Sequence, residues 1–97
     1  MITYRAMYKF LDDGVHAEVL DFPGVITCGA DLAEARRLLG SALVDMAESA
    51  LLDGEPLPSP DPASTDPDAD LEEPIHLLLN SATRVHEVPQ DVLHETA

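Results

Sequence analysis

Residues 2–20, ITYRAMYKFLDDGVHAEVL, change side at every step, and their reading decides the fold. Ile2, Tyr4, Ala6, Tyr8 and Phe10 fall on one side, and Thr3, Arg5, Met7 and Lys9 on the other. Period-two alternation in a run rich in aromatic and β-branched residues predicts a half-buried strand. An Asp13-Gly14 step then separates it from a second alternating run, which is a short-range hairpin signal. The return strand is expected over 15–20, with Val15, Ala17 and Val19 on one face and His16, Glu18 and Leu20 on the other. Asp21-Phe22-Pro23-Gly24 supplies a second turn, because proline fixes φ and glycine tolerates φ > 0 after it. The β-branched run 25–28 reads as a third strand, ended by Gly29, so the first 29 residues form an antiparallel meander.

The period changes after Gly29. Asp31 followed by Glu34 has capping-box spacing. From Leu32 onward, Ala35, Leu38, Leu39, Ala42, Leu43, Met46, Ala47, Ala50 and Leu51 recur at steps of three and four, predicting one apolar stripe on a helix over 32–52. Arg36, Arg37, Asp45 and Glu48 fall on its solvent side. Asp53-Gly54 supplies the stop, with Gly54 suited to a left-handed cap.

Residues 54–73, GEPLPSPDPASTDPDADLEE, hold five prolines and seven acids. Proline removes backbone donors and like charges repel, so this stretch is expected to be a solvated connector with weak order over 59–70. Residues 74–80, PIHLLLN, read as a further strand whose near-continuous apolar character suits a position with a neighbour on both sides. The polar tail 81–97 admits a short strand near 83–88 and a helical turn after Pro89. The expected fold class is α+β, a βββαβ unit with one helix packed on a small antiparallel or mixed sheet. Residues 1–80 form the domain and 81–97 a short tail. Apolar side chains lie on both faces of the strands, which predicts a second subunit or a partner over the face away from the helix.

Nineteen acidic residues against five basic ones give a formal charge of −14. Binding to nucleic acid needs Lys and Arg to neutralise phosphates, so this balance points instead to a cationic partner. No apolar run is long enough to cross a membrane. The start, MITYRAMYKF, lacks the basic-then-apolar pattern of a secretory signal. One cysteine, Cys28, has no intramolecular disulfide partner, which suits a reducing cytoplasm, and it is expected to be a small buried apolar residue.

Four motifs occur in order: the Asp13-Gly14 hairpin; Asp21-Phe22-Pro23-Gly24-Val25-Ile26-Thr27-Cys28-Gly29; the helix start Asp31-Leu32-Ala33-Glu34-Ala35; and the helix end Asp53-Gly54-Glu55-Pro56-Leu57-Pro58. Together they resemble the bacterial HicB-like antitoxin family over residues 4–58, and the strand at 74–80 falls where that family has its last one. Asp13, Gly14, Asp21, Pro23, Gly24, Gly29, Glu34, Asp53 and Gly54 carry the likeness as structural positions. The resemblance implies a partial ribonuclease-H-like fold without nuclease activity and assembly as a homo-oligomer, a dimer or tetramer. It also implies a role as antitoxin, in which the protein neutralises a small basic HicA-type ribonuclease toxin by covering its active surface. Many relatives add a DNA-binding segment at the C-terminus. Here 17 residues follow Asn80 and Arg84 is their sole strong cation, so direct DNA binding is not expected. The alternative is a stand-alone regulatory or structural oligomer without a toxin.

A two-metal nuclease needs several carboxylates converging on ions about 4 Å apart. Asp12, Asp13 and Asp21 are expected to be turn formers, and Glu18 alone is mid-strand. His16, His76, His86 and His94 have no metal-ligand spacing, and no serine or glycine-rich loop reads as a nucleophile or phosphate cradle. The chain is expected to be neither an enzyme nor a holder of metal or cofactor.

Overall fold

The structure, a computed structural model, describes residues 1–79 and 85–88. Five strands and one helix follow in the order β1 (Ile2–Leu11), β2 (Gly14–Val19), β3 (Ile26–Gly29), α1 (Leu32–Leu52), β4 (Leu71–Leu79) and β5 (Val85–Val88). They form one antiparallel sheet in the spatial order β3-β2-β1-β4-β5, with α1 packed on one face. The class is therefore α+β, and every pairing is antiparallel, which settles the choice between an antiparallel and a mixed sheet. β4 lies between β1 and β5, as its apolar character predicted.

The alternation of 2–20 sorts the two faces. Tyr4, Ala6 and Tyr8 of β1 share the helix face with Val15, Ala17 and Val19 of β2 and with Ile75 and Leu77 of β4, all buried. Opposite them, α1 presents Ala35, Leu39, Leu43 and Ala47 at four-residue steps, each fully buried. Burying a leucine at such a position stabilises by about 1.5–3 kcal/mol. Tyr4 meets the Phe22 ring edge-on at 5.3 Å. Met46, placed in the stripe by its spacing, lies at its margin and is half exposed, packing beside Gly24.

Both helix ends carry the predicted caps. The Asp31 carboxylate accepts from the Glu34 N–H at 2.8 Å, while the Glu34 carboxylate accepts from the Ala30 N–H at 2.9 Å. At the far end the Gly54 N–H donates to the Leu51 carbonyl at 3.1 Å and the Glu55 N–H to the Ala50 carbonyl at 2.8 Å. This paired closure requires left-handed backbone at Gly54, whose φ is +73°.

Three expectations are corrected. The hairpin turn is Asp12-Asp13, and Gly14 already belongs to β2, opposite Leu11. β4 begins at Leu71 and runs through Pro74. Proline is admissible there because the Arg5 N–H and carbonyl both point away from β4, to Asp21 and Leu20, making Arg5–Pro74 a non-hydrogen-bonded pair. Cys28 is exposed, because β3 is the edge strand and Cys28 faces away from the helix. The helical turn expected after Pro89 lies outside the described residues.

Candidate functional site

The largest departure from the sequence reading is the connector. Residues 59–70 are solvent-exposed as expected, none of them buried, but they do not lack order: they cross the sheet face opposite α1 on fixed hydrogen bonds. Two turns of the same design give them shape. In Asp61-Pro62-Ala63-Ser64, the Ser64 N–H donates to the Asp61 carbonyl and the Ala63 N–H to the Asp61 carboxylate, both at 3.0 Å. In Asp66-Pro67-Asp68-Ala69, the Ala69 N–H donates to the Asp66 carbonyl at 3.0 Å and the Asp68 N–H to the Asp66 carboxylate at 2.9 Å. Aspartate at the first turn position and proline at the second are the residues such turns favour, since proline pre-sets φ and the carboxylate satisfies the next free N–H.

Four contacts tie the connector to the sheet. The Tyr4 hydroxyl donates to the Pro58 carbonyl at 2.8 Å. Buried Asp21 accepts from the Arg5 N–H on β1 and from the Asp61 N–H on the connector, both at 2.9 Å. Asp21 was expected to close its own turn; it instead caps the β1 edge that β2 leaves open and pins the connector there. Glu72 accepts from the Thr65 hydroxyl at 2.7 Å, the Asp66 N–H at 3.3 Å and the Arg5 guanidinium at 2.9 Å. These donors hold the Glu72 carboxyl below the usual carboxylate range, with the Thr65 hydroxyl the largest contributor and Arg5 next. Last, the Asp70 N–H donates to the Tyr8 carbonyl at 2.9 Å and its carboxylate accepts from the Phe10 N–H at 2.7 Å.

Glu72 is the cross-strand neighbour of Met7, so its bonds to Thr65 and Asp66 bring the connector over that side chain, which is 2% exposed. The cover expected from a partner over the middle of this face is supplied by the chain itself. At its flanks Ile26 and Leu78 remain exposed. His76, on the same face, is buried, and burial lowers its pKa while its Nδ1 lies 2.9 Å from the Thr3 hydroxyl. Outward, the turns present Asp61 and Asp68, and the bend before β4 presents Asp70, all exposed. The result is a ridge of carboxylates whose backbone is fixed.

On the helix face, a cavity of about 310 Å³ opens between α1, β4 and β5, lined by Tyr8, Arg36, Glu73, Ile75 and Glu87 among others. Arg36 binds Glu73 through two contacts of 2.8 and 2.9 Å and sits 5.9 Å from the centre of the Tyr8 ring. Burial, and then Glu73, push the Tyr8 hydroxyl well above its ordinary pKa. Burial likewise raises the Glu87 carboxyl.

The motif residues from the sequence do not gather into one site. Asp13 is exposed in the hairpin turn; Gly14 and Gly29 face each other so closely that a Cβ on Gly14 would stand 2.7 Å from the Gly29 carbonyl oxygen. Pro23 and Gly24 make the β2–β3 turn, Gly24 with φ of +92°. Glu34, Asp53 and Gly54 lie at the helix ends. Of the acids weighed for catalysis, Glu18 lies 3.1 Å from the His16 ring and Asp21, in the β2–β3 turn, is bonded to the Arg5 and Asp61 N–H groups, so they do not converge. Among the described residues no three metal-ligating side chains come together, and no helix is long and apolar enough to cross a membrane. No protein-family model matches the chain, and no curated protein matches it.

Proposed function

We propose that this chain is an antitoxin-type binding module of the HicB-like kind, which neutralises a small basic ribonuclease of the HicA type by covering its active surface. The observation that carries the reading is the fixed acidic ridge: Asp61 and Asp68 stand exposed on turns that Asp21 and Glu72 pin to the sheet, and exposed Asp70 is held by the Tyr8 carbonyl and Phe10 N–H of β1. Charges held in place lose little conformational freedom on binding, and a −14 chain speeds encounter with a cationic protein. The exposed Ile26 and Leu78 at the flanks of the same face add apolar contact area. The four-motif order in the sequence supports the family, and the unpaired Cys28 supports a reducing cytoplasm.

The test is RNA cleavage by a cognate basic ribonuclease. Cleavage is expected to stop at one equivalent of this protein, with an association rate that falls steeply as salt rises. Asp61→Asn, Asp68→Asn and Asp70→Asn combined are expected to slow association about tenfold. Undiminished cleavage in the presence of excess protein contradicts the proposal.

A second reading, a self-sufficient oligomer, has one feature in its favour. From Phe22 to Ala30, along the open edge of β3, the chain carries no charge, so two copies could pair there without facing like charges. Sedimentation of the protein alone, showing a dimer or tetramer that persists at low salt, would support it.

A further inference from the structure

The acidic ridge borders a cavity that the proposed function does not use. It has a volume of about 380 Å³, opens where the connector crosses β1 and β4, and is walled by Pro60, Pro62 and Pro74. Sites for small molecules and cofactors span roughly 300–1,000 Å³, so this volume suits an occupant of side-chain size. All three prolines are exposed. Pro74 is the unusual one. Proline inside a strand gives up a backbone donor, yet the register with β1 runs through it without a bulge. What Pro74 adds at this position is a rigid apolar wall.

The polar atoms around the cavity are already engaged. The Thr3 hydroxyl lies 2.9 Å from His76 Nδ1, and Asp21 accepts from the Arg5 and Asp61 N–H groups. The Asp61 carboxylate accepts from the Ala63 N–H. A hydrogen-bonding ligand would have to displace these contacts, so the cavity favours an apolar occupant. An aromatic ring suits it better than an aliphatic chain. Arg5, held to Glu72, also lines the cavity, and a guanidinium is attracted to the face of an aromatic ring. Charge decides what flanks that ring. Exposed Asp61 lines the cavity and exposed Asp68 follows on the same ridge, in a chain of −14. An apolar pocket with an acidic border complements an aromatic anchor that has lysine or arginine beside it. The bonds that pin the connector also fix the pocket, so binding has little left to order.

We propose that the cavity between the connector, β1 and β4 is the docking pocket for an aromatic side chain of a cationic partner protein, whose flanking lysine or arginine residues pair with the ridge. The proposal rests on reading the ridge as the surface for a basic partner, and it names the kind of residue that anchors that partner.

The chain contains no tryptophan, so the fluorescence of a tryptophan peptide reports that peptide alone. The test is a titration of acetyl-Lys-Trp-Lys-amide with the full chain at fixed ionic strength. A saturable blue shift is expected as the indole leaves water, with affinity roughly tenfold above that of acetyl-Glu-Trp-Glu-amide. Acetyl-Lys-Leu-Lys-amide is expected to compete roughly tenfold more weakly. Pro74→Thr places a residue that strands favour in β4, so the sheet should persist by far-UV circular dichroism while peptide affinity falls about fivefold. Pro60→Ser, which lies outside both connector turns, should weaken binding in the same way. A shift that is absent or does not saturate, equal binding of the acidic peptide, equal competition by the leucine peptide, or affinity unchanged in both variants overturns the proposal. Ribonuclease neutralisation without peptide binding would overturn the pocket alone. Peptide binding without neutralisation would uphold the pocket and contradict the antitoxin reading.

Discussion

The two faces of the sheet are covered by the same chain in different ways. On one face, α1 buries four side chains at helical spacing against Tyr4, Ala6, Ala17 and their neighbours, and its hold is apolar contact. On the other, the connector buries little apolar surface besides Met7 and is held by hydrogen bonds to two carboxylates, Asp21 and Glu72. Apolar packing spreads its energy over many atoms and does not depend on pH. Glu72, which accepts three hydrogen bonds, concentrates its contribution in one group and loses it on protonation. The helix side should therefore set global stability, and the connector side should open locally with its own pH dependence.

Three changes separate the two covers, the largest first. Leu43→Ala removes a fully buried side chain from the helix face and is expected to cost about 2–5 kcal/mol in chemical denaturation. A loss below 1 kcal/mol would mean that the helix is not the main source of stability. Asp21→Ala leaves the Arg5 and Asp61 N–H groups without their acceptor and is expected to cost about 1–3 kcal/mol. Proteolysis of this variant should begin within 58–66 while α1 stays intact; cleavage starting in α1 would contradict the division.

The smallest effect is the pH dependence of the connector. The folded-state pKa of Glu72 lies below the ordinary value of 4.5. Its contribution is therefore complete above about pH 4.5 and is lost as pH falls through the lower folded-state value. Protection of the Asp66 amide, taken against its intrinsic exchange rate at each pH, should fall as the solution is acidified below that point, ahead of amides in α1. In Glu72→Gln the Asp66 amide should exchange faster at neutral pH and lose most of that dependence. An unchanged profile in this variant would assign the pinning to another group.

What the sequence made legible follows the same division. The alternation of 2–20 and the stripe of 32–52 are local patterns, each repeated enough times to be read without knowing the partner surface. The caps at Asp31 and Gly54 are single residues with stereochemical reasons, and they too were legible. The connector's exposure was read correctly, but its order was missed because composition outweighed local chemistry. Five prolines and seven acids suggest a solvated coil, yet Asp61-Pro62 and Asp66-Pro67 are turn signatures that repeat five residues apart. The pinning itself had no sequence signal, since Asp21 binds a residue 40 positions away and nothing local distinguishes it from a turn former. The cavity beside Pro74 was hidden for the same reason: only the crossing of the connector brings Pro60 and Pro62 to β1 and β4.

Hydrogen exchange at the Asp61 and Asp66 amides of the unmodified protein, at neutral pH, tests the ordered connector directly. Both donate to the carboxylates that pin it, so both should exchange at least tenfold more slowly than in an unstructured peptide of the same sequence. Exchange at the peptide rate would leave this stretch without fixed order and remove the acidic ridge on which the functional reading stands.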